Sequence, residues 1–479
     1  KTLEIDNMPV DDFLYEKMLF CLGFDATQSQ DLLFRSLSCF INRSDSNAIM
    51  VINGYAGTGK TSAIASLVTT ISELEQPFIL MAPTGRAAKV LSNYTNARAL
   101  TIHKQIYKQK SLGDGFGQFV LDINKHRNTI FIVDEASLIS SGSSDISMFG
   151  SGDLLEDLMK YVFSRENNKL ILIGDSAQLP PIGADISRAL DSEYLSKWGG
   201  VTYCTMTDVV RQAQLSGILH NATLLRHMIE RRETAFPEFE LNGFDDIEHI
   251  GGNELLEKIG EAYDRYGNEE TLVLCRSNKR ANLYNREIRS RILCREESIN
   301  RGDKVMVVKN CYQFAGNDVE ELDFIANGDV AELIKIFHFE ERYGFHFADA
   351  VLRFSDYNDI EISAKVILDT LGSESASLSL EQQKSLFDGV FSDYSEIGTK
   401  RKRLAAVRED NYFNAMQIKF AAAVTCHKSQ GGQWKCVFID NPFWRDYLTL
   451  DDLKWLYTAI TRGFEHVYLV NFNNKFFNN

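Results

Sequence analysis

No apolar run in this sequence approaches the roughly 20 residues that a membrane-spanning helix requires, so insertion as a helical bundle is not expected. The stretch Lys1-Thr2-Leu3-Glu4-Ile5-Asp6 carries no signal-peptide pattern, and a cytoplasmic location is expected. Close cysteine pairs are lacking too. The eight cysteines stand singly, at 21, 39, 204, 275, 294, 311, 426 and 436, without the spacing of zinc or redox sites, and reduced core thiols are expected. Positive charge is in deficit: 51 Lys and Arg against 66 Asp and Glu give a net charge of −15. That disfavours coating of nucleic acid by bulk attraction, because phosphate binding relies on Lys and Arg displacing counterions. A local basic channel is still allowed. Lys104, Lys108 and Lys110 could line one, as could Arg276, Lys279, Arg280, Arg286, Arg289 and Arg291, or Lys400-Arg401-Lys402-Arg403, although such runs are usually solvated faces. Internal repeats, extended low-complexity tracts and the clustered carboxylates of a nuclease site are also missing.

What is present begins with Gly54-Tyr55-Ala56-Gly57-Thr58-Gly59-Lys60-Thr61, which follows the apolar run Ala48-Ile49-Met50-Val51-Ile52 and precedes Ser62-Ala63-Ile64-Ala65. The pattern reads as strand, glycine-rich loop and helix. Successive backbone N–H groups of such a loop, with the positive end of the helix dipole, form an anion nest that a phosphate enters where a Cβ would block it. Gly54, Ala56, Gly57, Thr58, Gly59, Lys60, Thr61 and Ser62 are therefore the expected nucleotide-binding residues. Lys60 is placed to reach the β- and γ-phosphates, and the Thr61 hydroxyl to ligate Mg²⁺.

The length of 479 residues suggests about three domains. Residues 1 to 47 read as helices, with Thr27 able to cap the second. After the loop, strand and helix alternate through Phe78–Ala82, Thr129–Val133 and Lys169–Ile173, the signature of a parallel sheet. A segment at about 104–127, rich in Lys, Gly, Gln and aromatics, reads as a small hairpin excursion. The first domain is expected to span 1–204. A second α/β unit is expected from 205–297 and 416–479, and an inserted β domain with a helical extension from 298–415.

Asp134-Glu135 ends a run of β-branched residues. Alone, such a pair is more often a strand-end turn, but beside the phosphate loop Asp134 can hold Mg²⁺ and Glu135 can deprotonate the attacking water. Gln178, past a third strand end, can hydrogen-bond a γ-phosphate and the water. Arg211 and Arg462 are candidate arginine fingers, since a planar, permanently charged fork matches phosphate oxygens, although composition alone favours surface ion pairs for both. Thr425-Cys426-His427-Lys428-Ser429-Gln430-Gly431-Gly432 packs hydroxyl, imidazole, ammonium and amide into one loop that could grip a sugar-phosphate backbone.

Taken in order, the phosphate loop, Ala82-Pro83-Thr84-Gly85-Arg86-Ala87-Ala88, Thr101-Ile102-His103-Lys104, Asp134-Glu135-Ala136-Ser137, Gly174-Asp175-Ser176-Ala177-Gln178-Leu179-Pro180, Val210-Arg211-Gln212, Thr425 to Gly431 and Tyr457-Thr458-Ala459-Ile460-Thr461-Arg462 resemble the helicase motifs of superfamily 1. The branch they resemble is the RecD/Dda-like one, superfamily 1B, and the resemblance covers about residues 24 to 470. It implies an α/β fold of two RecA-like P-loop domains, with ATP and Mg²⁺ in the cleft and single-stranded DNA across the top. It implies 5′ to 3′ translocation on single-stranded and forked DNA by a monomer, with DNA repair or recombination as the setting. Gln30 matches the adenine-reading glutamine, with Gln28 as the near alternative. Pro83, Thr84, His103, Thr425, His427 and Lys428 match the DNA-binding positions. The excursion near 107 to 121 matches a strand-separating pin, the β insertion an SH3-like domain, and residues 378 to 412 a helical projection. Gln433 departs from the acidic residue that many relatives carry there. The resemblance implies an ATP-driven DNA helicase. A RecD-like motor subunit of a repair complex and a DNA-binding ATPase switch without processive motion are the alternatives.

Overall fold

The computed structural model describes residues 12–43, 47–110, 118–140, 150–181, 183–184, 186–209, 215–311 and 325–477. Two helices open the chain, α1 (Asp12–Leu22) and α2 (Gln28–Asn42). Thr27 caps α2 as expected, in a reciprocal box: its hydroxyl accepts from Gln30 N while the Gln30 side chain accepts from Thr27 N.

The first unit runs β1 (Ala48–Gly54), α3 (Lys60–Glu73), β2 (Phe78–Ala82), α4 (Gly85–Thr95), β3 (Ala99–Thr101), α5 (Ile102–Ile106), a hairpin of β4 (Tyr107–Lys110) and β5 (Gln118–Leu121), β6 (Ile130–Val133), α6 (Leu154–Val162), β7 (Lys169–Gly174), α7 (Ser192–Leu195) and β8 (Val201–Met206). Its six-stranded sheet has the order β3-β2-β6-β7-β1-β8, with every pairing parallel. Both faces are covered, which is why the strands read as continuous apolar runs. Met50 and Ile52 point toward α1, α2 and α3, while Ile49 and Val51 pack on the other side with α5 and α6. The hairpin lies where the sequence placed an excursion. Its tip, 111–117, falls outside the described residues.

The second unit comprises α8 (Gly217–Arg231), β9 (Ile247–Ile250), α9 (Leu255–Tyr266), β10 (Thr271–Cys275) and α10 (Asn278–Glu287). It is interrupted by β11 (Lys304–Val307), β12 (Val330–Arg342), β13 (Phe345–Phe354), β14 (Ile360–Ile367), α11 (Asp369–Gly372), α12 (Leu380–Asp393), α13 (Lys400–Glu409) and β15 (Met416–Phe420). It resumes with β16 (Ala423–Thr425), β17 (Trp434–Asp440), α14 (Leu450–Ile460) and β18 (Gly463–Val470). The second sheet is parallel, in the order β16-β10-β17-β18-β9, and β11 to β15 close a five-stranded barrel. The expected border at 415/416 is corrected here. Met416–Phe420 closes the barrel, pairing antiparallel with β11 and parallel with β14, so the second sheet resumes only at Ala423. The first unit likewise runs past 204, because β8 continues to Met206 beside β1.

All eight cysteines are free thiols, and six of them are buried. Among the described residues no helix is long and apolar enough to cross a membrane.

Candidate active site

Strands β6, β7 and β1 are neighbours in the first sheet, so the segments that leave their C-terminal ends meet at one edge. In open parallel sheets this edge is where ligands bind. From β1 comes the phosphate loop, in which Gly57 and Gly59 take φ of 73° and 78°, the left-handed region that glycine enters without strain. Gly54 leaves room for the lysine: a Cβ there would stand 2.5 Å from Lys60 Cγ. Lys60 Nζ donates to the carbonyls of Gly54 and Tyr55 and lies 3.9 Å from Asp175 Oδ2. Thr61 is exposed at the start of α3, Ser62 is half-buried, and the Thr58 hydroxyl donates to Tyr55 O at 2.8 Å. The loop thus presents its glycines, Lys60 and a free hydroxyl at the dipole end of α3, the donor set that a triphosphate fits. Gln30 is wholly buried and its amide nitrogen reaches Thr58 O at 3.5 Å, whereas Gln28 is exposed.

From β6 come the two carboxylates. Asp134 accepts from Tyr94 Oη at 2.5 Å and from Glu135 N at 2.8 Å. Glu135 sits at φ 52°, left-handed backbone that a non-glycine residue seldom takes, and strain of this kind tends to be held at functional sites. Both line a cleft and keep some exposed surface, but the surrounding protein dominates their ionisation. Burial pushes the Asp134 carboxyl up, opposed by the Tyr94 and Glu135 N–H bonds and the Lys60 charge. Burial also pushes Glu135 up, with Asp134 beside it adding to the shift and Arg462 and Lys60 opposing it. The raised carboxyl is suited to accept a proton.

From β7 come Asp175 and Gln178, both buried. Gln178 Oε1 has no hydrogen-bond partner among the described residues, an acceptor whose burial goes uncompensated. Asp175 accepts from Tyr457 Oη at 2.6 Å, and that same hydroxyl accepts from Ala56 N at 2.9 Å. Tyr457 belongs to α14 of the second unit, so one buried hydroxyl ties the second unit to the phosphate loop and to the β7 loop. The next residue repeats the tie: Leu179 N donates to Thr458 Oγ1 at 2.8 Å. Arg462, expected as a finger, is 3% exposed. It donates through Nε to Thr458 O at 3.1 Å and through Nη1 to Gly432 O at 3.0 Å, near enough to Glu135 for its charge to oppose that residue's upward shift. Arg211 lies outside the described residues.

A second set of expected residues lies at the C-terminal ends of β2, β3 and β16. Pro83 and Thr84 follow β2, and the Thr84 hydroxyl accepts from Ala87 N at 3.2 Å to cap α4. His103, at the start of α5, is pushed down to about 4 by burial and is neutral at pH 7. Thr425 ends β16. His427 is lowered by burial and by Arg276. Lys428 is brought down to about 8, by burial first and then by Lys419. These residues therefore offer hydroxyls, neutral imidazoles and one ammonium rather than a dense positive patch. The two units touch here as well. Gly431, at φ 77°, brings its backbone so near α4 that a Cβ would stand 3.0 Å from Thr84 Oγ1. Arg86 lies 4.1 Å over the Trp434 ring and donates to Gln433 O at 3.2 Å. Gln433, where an acidic residue is usual, thus contributes its backbone carbonyl to the inter-unit contact.

Sequence reasoning assigned no role to Tyr94, Tyr457, Arg86 or Trp434. Tyr457 stood in a quoted motif, and its polar group among apolar neighbours was the available signal.

A family model described as an AAA domain matches residues 41–238, and one described as a UvrD-like helicase C-terminal domain matches residues 420–470. An uncharacterized protein of Methanocaldococcus jannaschii is 24% identical over 473 residues, covering 88% of this chain and 36% of that protein. The ATP-dependent RecD2 DNA helicase of Deinococcus radiodurans is 27% identical over 182 residues, covering 37% of this chain and 22% of that helicase. The chain thus spans about a third or less of the length of these curated relatives. A crystal structure of Pif1 helicase from Bacteroides in complex with ADP-AlF3 and ssDNA aligns with a TM-score of 0.46 and 14% identity over 95% of each chain.

Proposed function

We infer from the ordered motifs and the two matched family models that the chain is a superfamily 1B helicase of the RecD-like kind, and we propose that it is an ATP-dependent DNA helicase moving 5′ to 3′ on single-stranded DNA. The observation that carries the proposal is the meeting, at one sheet edge, of the phosphate loop, Asp134-Glu135 and Gln178 with Arg462 and Tyr457 of the second unit. An enzyme that merely hydrolysed a nucleotide would not need a second unit hydrogen-bonded to its phosphate loop.

In the proposed cycle the loop amides and Lys60 bind the β- and γ-phosphates, and Thr61 and Asp134 hold Mg²⁺, which supplies charge neutralisation at the phosphates. Glu135 takes a proton from the attacking water, and Gln178 orients that water with its unpaired carbonyl oxygen. Arg462 leaves Thr458 O and Gly432 O to meet the charge that develops on the γ-phosphate; Arg211 is the second candidate for this role. Gln30 holds the base. Closing and opening of the two units then shifts Thr84 and His103 against Thr425, His427 and Lys428 along the sugar-phosphate backbone. The contacts are to backbone atoms and carry no sequence preference. The β4–β5 hairpin is proposed as the strand-separating pin, and the β11–β15 barrel as an accessory domain of the second unit.

The test is ATP hydrolysis and unwinding measured side by side on 5′-tailed and 3′-tailed duplexes with the purified chain. Hydrolysis stimulated by single strands, with unwinding of the 5′-tailed substrate alone, is expected. Stimulated hydrolysis without unwinding points to a motor subunit that needs partners. A single turnover per bound chain points to a nucleotide switch.

A further inference from the structure

Every described side chain of α14 from Asp452 to Ile460 is buried, so the helix can transmit a displacement along its length. Near one end of its contacts is the Tyr457 hydroxyl; just past its C-terminus is Arg462. The hydroxyl is engaged twice. It accepts from Ala56 N, an amide of the phosphate loop, and donates to Asp175, which lies 3.9 Å from the Lys60 ammonium. We propose that the Tyr457 hydroxyl is a positioning group that senses phosphate in the loop, giving up its contact with Ala56 when a nucleotide binds and moving α14 so that Arg462 is released toward the reacting phosphate. The inference rests on the proposed ATPase and adds to it the group that couples binding to closure.

The chemistry follows from competition for donors. A phosphate oxygen is a charged acceptor and outbids a neutral phenol oxygen for the Ala56 N–H. The same phosphate draws Lys60 Nζ off the Gly54 and Tyr55 carbonyls and away from Asp175. Asp175 then faces new negative charge, and the Tyr457 donor is left as its principal side-chain partner. The hydroxyl is therefore pulled from the loop toward Asp175 whenever phosphate arrives. At the far end, Arg462 Nη1 is held by Gly432 O, one residue from the glycine that abuts Thr84. A shift of α14 acts on that bond and on the loop that faces the nucleic acid.

Tyr457→Phe removes one oxygen and keeps the ring. Two quantities are measured on the full chain: equilibrium binding of a fluorescent non-hydrolysable ATP analogue with Mg²⁺, and kcat for ATP at saturating single-stranded oligonucleotide. The variant is expected to bind the analogue roughly tenfold more tightly, because the competitor for the Ala56 N–H is gone, and to lose roughly tenfold in kcat. A group that only supports the fold would not raise affinity while lowering turnover. Any other pair of results overturns the proposal: unchanged affinity, weaker affinity, or tighter binding with wild-type turnover. Hydrogen exchange on the unaltered protein serves if the variant does not fold. The analogue should change exchange in both the 54–61 and the 450–460 peptides, and a response confined to the first overturns the proposal. A wild-type chain without ATPase activity refutes the enzyme reading itself. An active wild type with an indistinguishable Tyr457→Phe refutes only this inference.

Discussion

Asp134 and Glu135 are neighbours in a cleft, and each raises the cost of ionising the other, so the hydrogen bonds around them decide which one carries charge. Tyr94 donates to Asp134 and helps hold it as the carboxylate that a metal requires. Tyr94→Phe removes that donor. The Asp134 carboxyl then rises further, the acid limb of the pH–rate profile moves to higher pH, and more Mg²⁺ is needed for half-maximal hydrolysis. A magnesium titration of ATPase at two pH values checks this; profiles identical to wild type would assign Tyr94 a packing role only. For Glu135, which has no positively charged partner within ion-pair distance, Glu135→Gln keeps the shape and removes the base. Hydrolysis is expected to fall by roughly 10²–10⁴-fold with analogue affinity retained, and a variant that still turned over would relocate the base. The phosphate loop and the carboxylate pair were legible in the sequence because each is a contiguous run whose chemistry needs those residues in that order. Tyr94 and Tyr457 were not: their partners lie 40 and 282 residues away, and a tyrosine in an apolar helix reads as core until its hydroxyl is seen.

Among the elements, α4 is held from two sides. The loop of Gly431 presses on its N-terminus, and the turn at Ser355–Tyr357 of the barrel presses on Gly85, where a Cβ would collide with the Tyr357 hydroxyl. Lys89 of α4 reaches Ser355 O and lies 3.8 Å from Asp356. Under this junction is Asp329, 4% exposed, accepting from Tyr357 Oη and Ala326 N, both at 2.7 Å. Burial outweighs those bonds and pushes the carboxyl from the usual carboxylate range up to about 7. A carboxyl raised on folding favours the protonated folded form. Its contribution is complete below about pH 4 and is lost as the pH climbs through about 7. Asp329→Asn keeps an acceptor and cannot ionise. Relative to this variant, the wild-type melting temperature should drop between pH 5 and pH 8; parallel melting curves across that range would mean that Asp329 is ionised throughout. The barrel also marks where sequence alternation misleads. β15 and β16 are both short and largely buried and are separated by only two residues, so they read as one return to the second sheet, although β15 pairs with β11 and β14 and β16 with β10. Periodicity distinguishes a strand from a helix but does not say which sheet the strand joins.

Across the whole molecule, a net charge of −15 requires that any grip on DNA be made by a few groups in the right places. His103 and His427 are both pushed toward the neutral form, so at pH 7 they give hydrogen bonds and no charge. Lys428 is the remaining ammonium of the expected DNA-binding set. Burial, with Lys419 adding to it, lowers Lys428 to about 8, so it is mostly charged at pH 7 and mostly neutral at pH 9. A lysine whose value is lowered loses its charge as pH rises, so affinity for single-stranded DNA should weaken from pH 7 to pH 9. A few neutral contacts and one cation also imply a shallow salt dependence, since the slope counts the counterions displaced. Fluorescence anisotropy of a labelled oligonucleotide over that pH range, at two salt concentrations, tests both expectations. Lys428→Arg stays charged throughout and should abolish most of the pH dependence while leaving the salt slope near that of wild type at pH 7. If wild type and Lys428→Arg lose affinity in parallel, the titrating group lies elsewhere. Lys419 is then the next to test, because it too is brought down to about 8 by burial, and it sits on β15, the strand that closes the barrel beside the second sheet.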